Sequence, residues 1–142
     1  MGVRIPPCPP GQYEMSYFCH KSNGIFGYED NWWLLLQCDK GIVDFYVWLA
    51  NRYGIPILKG SKYGPHISVV KGELPRNIEF WNSLNGQSAE ILYTNQVRVE
   101  QGYAFLDVRS EELAEVRRKL GFDTIKMSYH LSLGRYKYGS LV

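Results

Sequence analysis

Apolar positions in the first half of the chain follow two different periods. The continuous apolar run WWLLLQC at residues 32–38 predicts a short buried strand. Apolar residues then recur at helical spacing over residues 42–53, and Gly54 follows as a C-terminal stop. The β-branched stretch HISVVKG at residues 66–72 predicts another strand. The order here is therefore strand, helix, strand.

The second half repeats this order. Residues 89–100 and 103–109 have the pattern of two strands joined by a tight Gln-Gly turn, which predicts a hairpin. SEELAEVRRKLG at residues 110–121 predicts a helix, because a serine cap and two glutamates open it and three basic residues close it. KMSYHLSLGR at residues 126–135 predicts the last strand.

The remaining segments flank or connect these two units. Residues 1–12 are punctuated by prolines and predict an extended arm. Residues 13–19 predict a strand, and residues 77–84 a short helix. Residues 20–31 hold two glycines and several turn formers, which predicts a loop.

Each strand–helix–strand unit ends on the same kind of triplet. The first unit, residues 32–71, contains His-Ile-Ser at 66–68, and the second, residues 103–135, contains His-Leu-Ser at 130–132. We call these the HIS triplet and the HLS triplet. A repeated order of elements predicts two lobes related by a pseudo-twofold axis within one domain, residues 1–142.

The two triplets suggest a catalytic pair. In a strand, residues i and i+2 point to the same face, so His66 and Ser68 share a face, and so do His130 and Ser132. Imidazole has an ordinary pKa of about 6.5 and can serve as either acid or base near neutral pH. Serine hydroxyls can donate to the non-bridging oxygens of a phosphodiester, where charge accumulates. If the strands meet, the four side chains would form a phosphodiester-cleaving cleft that needs no metal.

Other interpretations of these residues compete with catalysis. A single strand histidine is usually a half-buried residue with a satisfied hydrogen bond. Zinc would require a third ligand, and no candidate lies at motif spacing, so His20 is predicted to be a surface loop residue. Trp32 and Trp33 are predicted to belong to the core, because an apolar Leu-Leu-Leu run follows them. The matching of the two triplets favours catalysis.

Side chains at the ends of the triplet strands are candidates for substrate binding. Strand ends at the rim of a cleft are where contacts to phosphate and base are made. Our candidates there are Lys62, Tyr63, Arg135 and Tyr136. Tyr13 could cover the cleft and stack on a base.

Composition places the chain among folded proteins of one domain. It has 142 residues, of which 45% are hydrophobic and 21% charged. The formal net charge of +2 argues neither for nor against nucleic acid. Eleven tyrosines, four tryptophans and six phenylalanines are enough to fill a core and still provide a stacking surface for a nucleotide.

The cysteines and the apolar runs indicate the cellular compartment in which the protein works. Cys8, Cys19 and Cys38 fit no metal motif, and we expect free thiols in a reducing cytosol. No stretch of about 18 apolar residues predicts a membrane span. The N-terminus is too rich in proline for a signal peptide. We therefore expect a cytoplasmic protein.

The segments PHISVV and YHLSLG resemble the two motifs of the two-histidine (2H) phosphoesterases, and as topology the resemblance covers residues 32–135. It implies a bilobal α+β fold in which antiparallel sheets line a central cleft and helices lie outside. It also implies metal-independent chemistry, without a cofactor, on 2′,3′-cyclic phosphates or on 3′–5′ linkages beside a 2′-hydroxyl. By motif, His66 and His130 would be the acid/base pair, with the base unassigned, and Ser68 and Ser132 the phosphate ligands.

In its small size, the chain resembles the phage-encoded members of that family. Those members degrade cyclic oligonucleotide second messengers and so counter host defence. The expected partner is then a small nucleotide in the host cytoplasm, and a membrane is not expected. Two alternatives stay open. One is an RNA-end-processing 2′,3′-cyclic phosphodiesterase acting on short RNA, and the other is a non-catalytic sponge that binds a nucleotide and leaves it whole.

Overall fold

The computed structural model describes residues 2–4, as backbone only, and residues 17–58, 64–122 and 128–136. These ranges contain eight strands, two α-helices and one 3-10 turn. The turn spans Ile78–Phe80, and the helices are α1 (Lys40–Arg52) and α2 (Glu111–Lys119). The strands are β1 (Gly2–Arg4), β2 (His20–Glu29), β3 (Trp33–Gln37), β4 (Ile57–Leu58), β5 (His66–Lys71), β6 (Ser88–Glu100), β7 (Tyr103–Arg109) and β8 (Ser128–Tyr136).

Six of these strands pair in a closed ring. The order around it is β6, β2, β3, β5, β8 and β7, and β7 returns to β6. Every pair is antiparallel. β1 adds to the ring beside β6, and β4 adds beside β8. The architecture is a closed six-stranded antiparallel barrel with two helices.

The expected bilobal α+β fold, with separate sheets and helices outside, is wrong. Residues 20–31, predicted as a loop, contain the ten-residue strand β2, which pairs with β3 of the first unit and with β6, whose other partner is β7 of the second unit. Together with the β5–β8 pair, this strand merges the two units into one ring. Its glycine at position 24 marks a close approach rather than a turn, because a Cβ there would lie 2.6 Å from Cγ of Leu36.

The elements with local sequence signals form where they were predicted. Asp39 caps α1 by accepting from the amide of Gly41, and Ser110 caps α2. The β6–β7 hairpin turns at Gln101 and Gly102, which both have positive φ, at 51° and 80°. The predicted strand at 13–19 is wrong in its described part, since residues 17–19 lie outside any strand. Neither α1 nor α2 has the length and apolar character needed to cross a membrane.

Strand alternation gives the sheet two distinct faces. Leu34 and Leu36 of β3 belong to the main hydrophobic core, which includes buried residues of α1 and α2. Leu35, between them, is also buried but does not belong to that core. Phe105 of β7 is likewise buried outside it. We call the face that carries Leu35 and Phe105 the second face.

The cysteines differ from the expectation of three free thiols. Cys19 is disulfide-bonded, Cys38 is free, and Cys8 lies outside the described residues. Burial raises the pKa of the Cys38 thiol to about 12, so this thiol is unreactive at neutral pH. The odd number of cysteines and their spacing carried no signal of pairing, and the thiols provide no argument for a reducing compartment.

Candidate active site

The two triplets meet at the junction of β5 and β8. Their middle residues, Ile67 and Leu131, are register partners and are fully buried in the core. The strands are antiparallel, so each histidine lies across from the serine of the other triplet. The polar side chains project to the second face, and the two histidines occupy diagonal positions across the junction. The junction therefore brings together all four predicted catalytic residues.

A cleft of about 900 Å³ opens beside this junction. Cavities of this size accommodate small organic ligands. Of the predicted catalytic and substrate-binding residues, His66, His130, Ser132 and Arg135 line the cleft. Other lining residues come from β3, from the start of α1, from the end of β5 and from the β6–β7 hairpin; they include Trp33, Lys40, Asp44, Lys71, Glu100, Tyr103 and Phe105.

His66 is the more enclosed of the two histidines, with 9% of its surface exposed. Its Nδ1 lies 2.8 Å from the carbonyl oxygen of Gly64. A carbonyl only accepts hydrogen bonds, so Nδ1 carries the hydrogen. In the neutral ring the lone pair is then on Nε2. His66 is thus set up to accept a proton through Nε2.

Ser68 is held by Trp33. The indole Nε1 of Trp33 donates to Oγ of Ser68 at 3.0 Å, and the ammonium of Lys71 lies 4.7 Å from the centre of the indole ring. The serine accepts this bond and keeps its own hydroxyl hydrogen for donation elsewhere. Trp33, predicted as core, instead lines the cleft. Ser68, on the neighbouring strand β5, lies behind Trp33 on the second face of the sheet.

His130 is the more open histidine, with 57% of its side chain exposed. Its ring stacks on Phe105 with centroids 4.0 Å apart and an interplanar angle of 27°. Its register partner on β7 is Asp107, whose Oδ1 lies 3.6 Å from Nε2 of His130. The ring is therefore held between an aromatic face and a carboxylate.

Asp107 is the most important residue that the sequence analysis missed. It is 9% exposed and accepts hydrogen bonds from the hydroxyl of Tyr17 at 2.9 Å and from Nη1 of Arg98 at 2.9 and 3.1 Å. Burial, and next the bond to Asp107, raise the pKa of Tyr17, so its hydroxyl stays a donor. The bond to Asp107 likewise raises the pKa of Arg98. The available signal was a lone carboxylate inside the apolar strand YAFLDVR.

The other predicted binding residues have different placements. Arg135 is the register partner of Tyr103 at the cleft rim. Tyr136 packs against the hydrophobic core and is not a lining residue. The candidates Lys62, Tyr63 and Tyr13 lie outside the described residues. Arg135 is thus the one rim candidate that the described structure brings to the cleft.

Charges along the cleft wall are mixed. The described lining residues include three cations, Lys40, Lys71 and Arg135, and two carboxylates, Asp44 and Glu100. A modest positive excess suits a small anion better than a long polyanion.

The described residues contain no group of three His, Cys, Asp or Glu side chains that could hold a metal ion. His20, predicted on a surface loop, lies in β2 and stacks on Tyr93 with centroids 5.2 Å apart. It is not among the residues that line the cleft.

No protein-family model, curated protein or solved structure matches the chain. The resemblance to the two-histidine phosphoesterases therefore rests on the two triplets. By its fold and its site, the protein is a closed antiparallel β-barrel that carries two imidazoles and two serine hydroxyls on one face of the sheet.

Proposed function

We propose that this protein is a phosphodiesterase that cleaves a small nucleotide by acid/base catalysis with His66 and His130. The observation that supports the proposal is the register of β5 and β8, in which the middle residues of the two triplets pair. This register sets two imidazoles diagonally across one junction, with a serine beside each.

The proposed step is an in-line displacement at phosphorus. One imidazole removes the proton from an attacking hydroxyl, either the 2′-hydroxyl of the substrate or water, while the oxygen forms its bond to phosphorus. The bond from phosphorus to the leaving oxygen breaks, and the second imidazole donates a proton to that oxygen. The phosphate would lie between the two rings, which both line the cleft. Ser132, which lines the cleft, would donate to a non-bridging oxygen, and Ser68, beside Trp33, is the second candidate donor.

The cleft favours a small substrate. A protein that tracks a long RNA presents a continuous basic surface. Here the described cleft residues include three cations and two carboxylates, within about 900 Å³. A cyclic oligonucleotide or a nucleoside 2′,3′-cyclic phosphate fits these dimensions and charges better than an RNA chain. Cyclic oligonucleotide messengers act inside cells, so we also propose that the protein is cytoplasmic. If a phage encodes it, the cytoplasm is that of the host.

A substrate panel tests the proposal. Purified protein is incubated in EDTA with cyclic di- and trinucleotides, a 2′,3′-cyclic mononucleotide and an oligoribonucleotide ending in a 2′,3′-cyclic phosphate, and products are separated by chromatography. We expect turnover of at least one of the small compounds at a rate that EDTA does not change. Preference for the oligoribonucleotide would favour RNA-end processing, and recovery of bound but intact nucleotide would favour a sponge. Absence of turnover of every compound would contradict the proposal.

Trp33→Phe should lower kcat by about two- to tenfold, because one hydrogen bond that orients Ser68 is lost. The aromatic ring is kept, so the cleft wall stays filled. Trp32→Phe is the matched control, since Trp32 contacts Trp81 edge-on and does not line the cleft. Steady-state kinetics on the best compound of the panel measures both variants. Equal kcat values for the two would show that the Trp33–Ser68 bond has no part in turnover.

A further inference from the structure

We infer that Asp107 is a positioning residue that orients His130 and balances its positive charge, which makes His130 the general acid and His66 the general base. This inference rests on the proposed function, whose two imidazoles carry no assigned roles. Its support is the unequal surroundings of the two histidines.

The first support is the placement of Asp107. It is the register partner of His130 on the adjacent strand, and its Oδ1 lies 3.6 Å from Nε2 of His130. This separation is within ion-pair range but longer than a hydrogen bond. The carboxylate can therefore attract a cationic ring without holding its N–H in a hydrogen bond. Stacking on Phe105 fixes the plane of the ring at the same time.

The second support is the balance of charge around His130. Arg98 is the described cation bonded to Asp107, and it also pairs with Glu100 at 3.2 Å. Around Asp107, one cation and two carboxylates leave an excess of one negative charge, while the cleft that His130 lines also carries Lys40, Lys71, Arg135 and Asp44. The neutral groups nearby are the Tyr17 hydroxyl, which bonds to Asp107, and the serines of the triplets. Asp107 is the described carboxylate within ion-pair range of His130, and its negative charge favours the imidazolium form, which is the form that a general acid requires.

The surroundings of His66 differ in kind. The oxygen that Nδ1 of His66 contacts is the neutral carbonyl of Gly64. In the neutral ring this bond leaves the lone pair on Nε2, which is the nitrogen through which His66 would act as a general base.

Exposure fits the same assignment. After His130 has given its proton to the leaving oxygen, it must take up another before the next turnover, and 57% of its side chain is open to solvent.

The test uses NMR titration of the histidine ring protons, which does not depend on turnover. In Asp107→Asn, the titration midpoint of His130 should fall by about one pH unit, because a negative charge beside the imidazolium is lost. The alkaline limb of the kcat profile should move to lower pH by the same amount. The control is Glu100→Gln, which removes a carboxylate from the same arginine but not from His130. It should shift the midpoint less.

Arg98→Gln should shift the titration midpoint of His130 in the opposite direction. It also keeps the inference testable if Asp107→Asn does not fold. Removing the cation that competes for Asp107 should raise the midpoint of His130. A midpoint that falls or stays unchanged in Arg98→Gln, or that moves no more in Asp107→Asn than in Glu100→Gln, would overturn the inference. If the midpoints move as expected while the wild-type protein turns over none of the panel, the electrostatic role of Asp107 stands and the phosphodiesterase proposal fails.

Discussion

Replacing His66 or His130 with alanine should lower kcat by about 10²–10⁴-fold, the usual contribution of one general acid or base. The substrate should still bind, since Ser132, Arg135 and the cleft wall remain. KM should therefore change much less than kcat. Initial rates across a range of substrate concentrations, for the best compound of the panel, measure both parameters.

The double variant of His66 and His130 extends this test. Two groups that act in one displacement give effects that do not add, so the double variant should be little slower than the worse single variant. His20→Ala is the matched control, because that ring stacks on Tyr93 and does not line the cleft. Melting temperatures show that each variant is folded. Turnover at the wild-type rate in the double variant would disprove two-histidine catalysis.

Gly134→Ala should lower the free energy of unfolding by about 3 kcal/mol, from backbone strain and overpacking together. Gly134 has φ of 150°, which side chains rarely adopt. A Cβ there would lie 2.2 Å from the carbonyl oxygen of Leu58. Because Leu58 belongs to β4, which pairs with β8, the added methyl would push β4 off the ring. Urea unfolding followed by tryptophan fluorescence measures the change.

Gly27→Ala is the control for that experiment. Gly27 is also a strand glycine, but a Cβ there meets the side chain of Leu35 at 3.8 Å, an ordinary contact. Its stability should stay within about 0.5 kcal/mol of the wild type. If both variants unfold at the same urea concentration, the close approach of β4 to Gly134 does not contribute to stability.

Local signals in the sequence determined the helices, the hairpin and the triplet strands. Asp39 and Ser110 cap their helices from adjacent positions, and Gln101-Gly102 supplies the two positive φ values that a two-residue turn needs. Strand alternation likewise determines that the histidine and serine of each triplet share a face. All of these depend on neighbours a few residues apart, which is why they could be read from the chain.

The composition of β2 misled the prediction, and pairing explains the difference. Two glycines and several turn formers are typical of a loop, but Gly24 lets two strands approach closely where a Cβ would clash with Leu36. The partner that requires this glycine is brought close only by folding. The bilobal expectation failed for the same reason, because β2 joins the two units through its pairing with β6.

Only the tertiary structure decided how the site is completed. Alternation tells which face a residue occupies but not which strand lies beside it. The pairing of Ile67 with Leu131 therefore could not be predicted, although the faces of the triplets could. Asp107 and Trp33 belong to apolar runs that predict core, and each reaches a triplet only through cross-strand register. The sequence by itself determined the imidazoles and hydroxyls, and long-range strand pairing decided which groups surround them.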